Sequence, residues 1–171
     1  AVIRFENHKL FSYWGQYQED LYDRHFRHGG RRGVGGKAWE NHSFREDPDK
    51  SFQPCHLNQG VEYQVLKLAA TLAGEDVAYR CISIGGPQIL GSNYRILGYS
   101  SPEAMYEAFQ QDERAHVLGF FDFCQANKLV RFLRSQDWWN FAKGYNGAGQ
   151  VEKYGSWIEA AFSAGEEILT G

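Results

Sequence analysis

Apolar residues recur at helical spacing in the part of the chain that follows residue 60. The clearest run consists of Val61, Val65, Leu68, Ala69 and Leu72. Residues three and four apart share one face of a helix, so this run predicts an amphipathic helix that packs on a core. Gly74 stands where such a helix ends. This periodicity favours a helical fold over a sheet fold.

Helix-start signals continue toward the C-terminus. Ser101 followed by Pro102 is typical of an N-cap with proline in the first turn, and Asp137 can cap a helix that ends near Gly144. A short helix is expected around residues 75–82 and a last one over 150–163. Residues 1–14 predict an apolar start that runs into a helix. Four to seven helices with little strand pattern predict a mainly α fold.

Length and composition limit the classes of protein to which the chain can belong. Its 171 residues suit one domain spanning 1–171, and 43% hydrophobic and 16% aromatic residues indicate a globular chain. A net charge of −3 gives no general attraction to nucleic acid or to membranes. The three cysteines form neither a disulfide framework nor a metal motif, so burial as small apolar side chains is expected.

The stretch from Ala78 to Asn93 (AYRCISIGGPQILGSN) combines glycines with amide side chains. Glycines allow tight turns and the close approach of another group to the backbone. The side chains of Gln88 and Asn93 each carry paired donors and acceptors, which suit hydroxyl and acetamido groups. This pattern indicates a polar binding turn, although the same amides could simply satisfy loop backbone or cap a helix.

This stretch resembles the Ser-aromatic-Gly-x-x-Gln-Ile-x-Gly-x-Asn signature of the N-acetylmuramidase family of phage endolysins and bacterial wall hydrolases. Residues 3–11 (IRFENHKLF) and 138–147 (WWNFAKGYNG) resemble two further elements of that family, in the same order. The chain departs from the family at Ile84, where an aromatic residue is usual, and at Pro87. The resemblance implies a lysozyme-like, mainly α fold. It also implies cleavage of the β-1,4 bond between N-acetylmuramic acid and N-acetylglucosamine in peptidoglycan.

Glu6 is the candidate catalytic acid. Glycoside hydrolysis needs a carboxyl group that protonates the leaving oxygen, and the aromatic neighbours of Glu6 in sequence would raise its pKa. The alternative interpretation is a structural carboxylate paired with His8 or Arg4. Family members usually carry a Val-Glu-Ser-Gly-Gly-like segment upstream of this point. The acid is therefore expected either before Ala1 or at Glu6, unless the chain does not catalyse the reaction. Glu46, Asp47 and Glu62 are weak candidates for a second carboxylate.

The resemblance also implies a set of substrate-binding residues. These are His8, Ser83, Gln88, Asn93, Tyr145 and Asn146. We expect Ser83, Gln88 and Asn93 along the sugar-binding cleft, with Tyr145 and Asn146 toward an N-acetyl group. A helix C-terminus with Gly147 as its left-handed cap is the alternative for the last segment.

Residues 23–60 are the least regular part of the chain. Cationic residues and glycines interleave over 24–37, which predicts either a solvated loop or contact with anionic wall polymers. The histidines His25, His28, His42 and His56 lack a spacing diagnostic of zinc, so neither a metal nor a cofactor is expected. A loop this long is usually functional or mobile.

The expected partner is the peptidoglycan glycan strand, with no nucleic acid and no membrane. We expect a monomer that acts on the bacterial cell wall, in the periplasm or outside the cell, although the sequence shows no export route. A lytic transglycosylase and a non-catalytic wall-binding or structural module are the two alternatives.

Overall fold

The computed structural model describes residues 1–170 and divides into two compact units, residues 1–119 and residues 120 onward. The helices in the described part of the chain are α1 Asn7–Tyr13, α2 Glu19–His25, α3 Gln59–Ala73, α4 Glu75–Arg80, α5 Pro102–Gln111, α6 Glu113–Ala126, α7 Val130–Arg134, α8 Trp138–Asn146 and α9 Val151–Thr170. The strands are β1 Ile3–Phe5, β2 Phe26–Arg27, β3 Ser43–Phe44, β4 Gln53–Pro54, β5 Ile82–Ile84 and β6 Ile89–Leu90. The prediction of a mainly α fold is therefore confirmed.

Local capping explains where several helices begin and end. The Ser101 hydroxyl accepts the backbone N–H of Ala104 at 3.0 Å, and the Asp137 carboxylate accepts that of Asn140 at 3.1 Å. Gly74 ends α3 with a φ of 90°. These three predicted boundaries are correct. The last helix extends to Thr170, beyond the predicted end at residue 163, because it contains no proline and the glycine that follows residue 163, Gly165, does not end it.

A three-stranded antiparallel sheet of order β1-β5-β6 lies in the first unit. Ile3 pairs with Ile84 and Phe5 with Ile82, and all four side chains are buried. The predicted apolar start of residues 1–14 is therefore a strand, and the predicted helix begins after it, at Asn7. A strand of three residues is too short to show its period of two against the helical pattern around it.

A second antiparallel sheet, of order β2-β3-β4, is tied to α1 by one buried side chain. Asn7 is completely buried, and its amide nitrogen donates to the carbonyls of Arg27, at 2.8 Å, and Ser43, at 2.9 Å. Its backbone carbonyl accepts the hydroxyl of Tyr22 at 3.0 Å. Asn7 thus fixes the start of α1 against β2 and β3.

The second unit has its own small core. Cys124, Leu129 and Phe141 are buried together, and the ring of Tyr145 packs on that of Phe123. Trp138 is buried and its ring centroid lies 4.9 Å from that of Phe162. The three cysteines of the chain are free and buried, as predicted. None of the helices over residues 1–170 is long and apolar enough to cross a membrane.

Candidate active site

Glu6 stands between β1 and α1 in the first unit. Its backbone N–H donates to the carbonyl of Cys81 at 2.8 Å, next to the first residue of β5. The side chain is 14% exposed, with Oε1 3.3 Å from Nε of Arg4 and Oε2 3.4 Å from Nδ1 of His8. Both predicted partners of Glu6 are therefore in contact with it. Burial raises the pKa of the Glu6 carboxyl, although the charge of Arg4 opposes that rise.

His42 lies beside this pair and is almost completely buried. Its Nε2 lies 3.1 Å from the carbonyl oxygen of Ala38 and 3.3 Å from Nδ1 of His8, and its Nδ1 lies 3.1 Å from Nε2 of His56. A carbonyl can only accept, so Nε2 of His42 carries the hydrogen and Nδ1 is an acceptor. Burial lowers the pKa of His42 to about 3 and that of His8 to about 4. Both imidazoles are therefore neutral at neutral pH.

Glu62 contacts His56, the histidine next to His42. It is 4% exposed, accepts the backbone N–H of Phe5 at 2.7 Å and lies 2.7 Å from Nδ1 of His56. These contacts make Glu62 a support for His56, not a carboxylate open to an attacking water. Of the other two candidates for a second carboxylate, Glu46 is exposed, and Asp47 accepts the backbone N–H of Asp49 within a turn.

Ser83 is linked to Glu6 by the pairing of β5 with β1, the strand that Glu6 follows. It pairs with Arg4, on the face opposite the buried isoleucines of β5. Because successive residues of a strand point to opposite faces, Ser83 and Arg4 share the outer face of the sheet. Arg4 in turn contacts the carboxylate of Glu6. The structure thus groups Ser83, Arg4, Glu6 and His8.

Gln88 lies in the turn between β5 and β6. It is exposed, adopts a φ of 52°, and its side-chain nitrogen donates to the carbonyl of Gly85 at 2.8 Å. Gly85 has a φ of 74°, which explains the need for glycine there. The amide donor of Gln88 thus satisfies loop backbone, as in the alternative interpretation. Its role toward a sugar stays a prediction.

Asn93 is half-buried at the end of a 3-10 helix, Gly91–Asn93. A Cβ atom at Gly91 would overlap the carbonyl oxygen of Tyr79. The sequence predicts that glycines in this stretch permit close approach, and at Gly91 the group that approaches is the chain's own α4. The proposed contact of Asn93 with substrate is untested.

Tyr145 and Asn146 belong to the second unit. The Tyr145 ring stacks on Phe141 with centroids 5.6 Å apart, and burial raises the pKa of its phenol. Asn146 is exposed and is the last residue of α8, after which Gly147 has a φ of 83°. The predicted glycine cap is therefore present. The role of these two side chains at the substrate stays a prediction.

The cationic stretch over 24–37 has partners of its own. Arg31 contacts Glu19 at 2.8 Å and Asp23 at 3.1 Å, and Arg32 contacts Asp23 at 2.7 Å. Backbone bonds also close the loop, such as that from Gly29 N–H to the Glu40 carbonyl at 2.8 Å. Two of the predicted cations are therefore already paired with carboxylates, which weakens the case for contact with wall polymers.

Sequence reasoning missed that His42 and His56 converge on Glu6. In the sequence the two histidines are fourteen residues apart, which is not a spacing diagnostic of zinc. The useful signal was the length and irregularity of residues 23–60, because loops of this size are commonly functional. His25 and His28 lie elsewhere: Nδ1 of His25 is 3.0 Å from the Arg45 carbonyl, and Nδ1 of His28 is 2.7 Å from the Tyr22 hydroxyl.

Known proteins resemble this chain in sequence and in fold. The model of the family described as N-acetylmuramidase matches residues 1–166. The crystal structure of the Burkholderia AP3 phage endolysin matches with a TM-score of 0.66, covering 95% of this chain at 24% identity. The chain spans 56% of that endolysin chain, about half its length. No curated protein matches the sequence significantly. The structural match shows that the chain shares the fold of that endolysin.

Proposed function

Because the chain belongs to the N-acetylmuramidase family, we propose that it is a peptidoglycan hydrolase. It cleaves the β-1,4 bond between N-acetylmuramic acid and N-acetylglucosamine in the glycan strands of the bacterial cell wall. In this proposal the chain acts as a monomer and takes no cofactor for the reaction. The bond is broken by protonation of the glycosidic oxygen as the sugar ring develops positive charge.

Glu6 supplies the proton in this proposal. The observation that carries the assignment is the position of its carboxyl group, which is mostly buried but still 14% exposed. Burial raises its pKa, which increases the protonated fraction of the carboxyl group at a given pH, and the protonated form is the one that acts as a general acid. Its remaining exposure gives a glycosidic oxygen access to that proton.

The neighbours of Glu6 orient it. Arg4 and His8 contact one carboxylate oxygen each, which limits rotation of the group. His8 and His42 stay neutral because burial lowers the pKa of each, to about 4 and about 3. Neutral imidazoles do not stabilise the carboxylate as two cations would, so they leave the raised pKa of Glu6 in place.

We assign the glycan contacts to His8, Ser83, Gln88, Asn93, Tyr145 and Asn146. Ser83 is the best supported of the six beside His8, because it shares the outer sheet face with Arg4. Gln88 is exposed although its amide nitrogen is already engaged, which leaves the carbonyl end of its side chain for a sugar N–H or hydroxyl.

Digestion of purified peptidoglycan tests the proposal and separates it from its alternatives. A hydrolase leaves a reducing sugar end, whereas a lytic transglycosylase leaves an anhydro sugar that is lighter by one water. Mass spectrometry of the released fragments distinguishes the two. We expect reducing ends. Binding to the wall without any released fragment would favour the non-catalytic module. Release that appears only when the natural upstream sequence is added would place the acid before Ala1.

A further inference from the structure

Three potential metal ligands converge beside β1. Oε2 of Glu6 lies 3.4 Å from Nδ1 of His8, and Nδ1 of His8 lies 3.3 Å from Nε2 of His42. One ligand atom from each of the three residues lies within 4.8 Å of the other two. Zinc bonds of ~2.0–2.1 Å in a tetrahedral site place neighbouring ligand atoms ~3.4 Å apart. The Glu6–His8 and His8–His42 separations match that spacing, and His42 approaches Oε2 of Glu6 to 3.8 Å through Nδ1, so the three side chains lie close to the spacing that one ion requires.

The chemistry of the three groups also favours a transition metal. Two imidazole nitrogens and one carboxylate oxygen form a donor set typical of zinc, with a fourth position left for water. Mg²⁺ and Ca²⁺ prefer sites made of oxygen atoms. Within the cluster the only oxygen ligand is Glu6, so these harder cations fit poorly.

His56 and Glu62 stand behind His42, on the side of its Nδ1 atom. Its Nδ1 faces Nε2 of His56 at 3.1 Å, and Nδ1 of His56 lies 2.7 Å from buried Glu62. A metal on Nε2 of His42 would release to solvent the hydrogen now donated to the Ala38 carbonyl, and the hydrogen between the two rings would move from Nε2 of His56 to Nδ1 of His42. Ligating histidines almost always donate their other ring N–H in this way.

The positive charge of Arg4 repels a cation bound beside Glu6. Its Nε lies 3.3 Å from Oε1 of Glu6, whereas the oxygen that faces His8 is Oε2. The Arg4 side chain is 46% exposed, so it can turn toward solvent without breaking a buried contact. Arg4 therefore weakens the attraction for an ion but does not occupy its place.

We propose that Glu6, His8 and His42 bind one Zn²⁺ ion, and that the bound ion reversibly inhibits the hydrolase. The inhibition rests on the proposed function, because the ion takes the carboxylate that would otherwise carry the catalytic proton. The binding of zinc does not depend on that function. In this proposal the zinc concentration controls whether Glu6 is free to act as the acid.

Calorimetric titration of the chelator-treated chain with zinc chloride tests the binding. We expect one ion per chain for the wild type and no comparable binding of magnesium chloride. His56→Gln should weaken zinc binding by ~10–100-fold, because it removes the support of a ligand, and His8→Gln should weaken it further. His116→Gln is the matched control, since His116 is also half-buried but bonds to the Phe109 carbonyl. Its affinity should equal that of the wild type.

Circular dichroism serves as the folding control, because it shows whether each variant keeps its helical structure. Equal zinc affinity in the wild type and in folded His8→Gln would overturn the site, whatever the turnover of peptidoglycan.

Turnover of purified peptidoglycan with and without zinc then tests the inhibition. Wild-type turnover should fall as the site fills and return when a chelator is added, and the residual turnover of His8→Gln should respond less to the same zinc concentration. Zinc binding at one site with unchanged or increased turnover would overturn the inhibitory role. If the chain releases no fragments at all, the proposed function fails, while the calorimetric result still decides the metal site.

Discussion

The Nε2 atom of His56 lies 3.1 Å from the Nδ1 atom of His42. The other nitrogen of His42 donates to the carbonyl of Ala38, so the hydrogen between the two rings belongs to His56. The second nitrogen of His56 lies 2.7 Å from Glu62. Buried Glu62 is therefore connected through His56 to His42, whose Nδ1 lies 3.8 Å from Oε2 of Glu6.

Replacement of Glu6 by glutamine should reduce turnover of peptidoglycan by ~10²–10⁴-fold, because the amide keeps the shape but cannot transfer the proton. The folded-state pKa of Glu6 lies above its ordinary value, so its ionised form destabilises the fold at neutral pH. Glu6→Gln should therefore unfold at an equal or higher denaturant concentration. Glu46→Gln, at an exposed glutamate, is the control and should change neither property. Unchanged turnover in Glu6→Gln would leave Glu6 as a positioning residue.

The stability of the chain should fall as the pH drops from about 6.5 toward 4. The pKa of His42 is lowered from 6.5 to about 3, so in this window the unfolded chain binds a proton that the folded chain does not. Since His8 and His28 are shifted in the same direction, the loss should reach a few kcal/mol, roughly 1.4 kcal/mol per pKa unit at a fully buried site. Denaturant unfolding in the presence of a chelator measures it.

His42→Gln removes one of these protons and should flatten the dependence of stability on pH. A variant with the same slope as the wild type over this window would show that His42 is protonated in the folded chain.

Replacement of Asn7 by alanine should lower the free energy of unfolding by roughly 2–5 kcal/mol. The change leaves the carbonyls of Arg27 and Ser43 without the donor that each now has, in a partly buried position. Asn127→Ala is the control, because that side chain is exposed, follows α6 directly and donates to the carbonyl of Phe123 in that helix. Chemical denaturation of both variants compares them. Similar losses in the two would mean that Asn7 does not hold the second sheet against α1.

Replacement of Gly91 by alanine should destabilise the fold by roughly 1–3 kcal/mol, since the new Cβ would overlap the carbonyl of Tyr79 and backbone would have to move. Gly86→Ala, in the neighbouring turn, is the matched control. No atom lies within 4 Å of a Cβ built at Gly86, so its stability should stay within about 0.5 kcal/mol of the wild type. Thermal unfolding of the pair measures the difference, and equal melting temperatures would contradict the close approach.

The fold class and the main helix boundaries could be predicted because they depend on local signals. Ser101 and Asp137 cap their helices through atoms only three residues away, so the sequence alone contains the interaction. The order of three motifs likewise predicted the family. The short strand β1 was missed because it is stable only through its pairing with β5, nearly eighty residues later.

The candidate site was less predictable for the same reason. Glu6 and His8 are neighbours in sequence, whereas His42 and His56 reach them through a long irregular segment whose course no local pattern specifies. Asn7 bonds to β2 and β3, which flank the loop that carries His42, and so helps to place that loop. A buried asparagine that satisfies distant carbonyls looks, in a sequence, like any polar helix residue.

The pairing of Arg4 with Ser83 sets the register of β1, and this register decides on which face of the sheet the side chains around the acid lie. A shift of one residue between β1 and β5 would turn Ile3 and Phe5 outward and bury Arg4, because alternate residues face opposite sides. The cost of burying a guanidinium forbids that shift, as does the loss of two apolar anchors. Glu6 follows the strand directly, so the number of residues between the paired strand positions and Glu6 decides whether its carboxyl group contacts the histidines. Insertions before Ile3 are harmless to this count, whereas a single deletion between Phe5 and Glu6 would disconnect the acid from its surroundings.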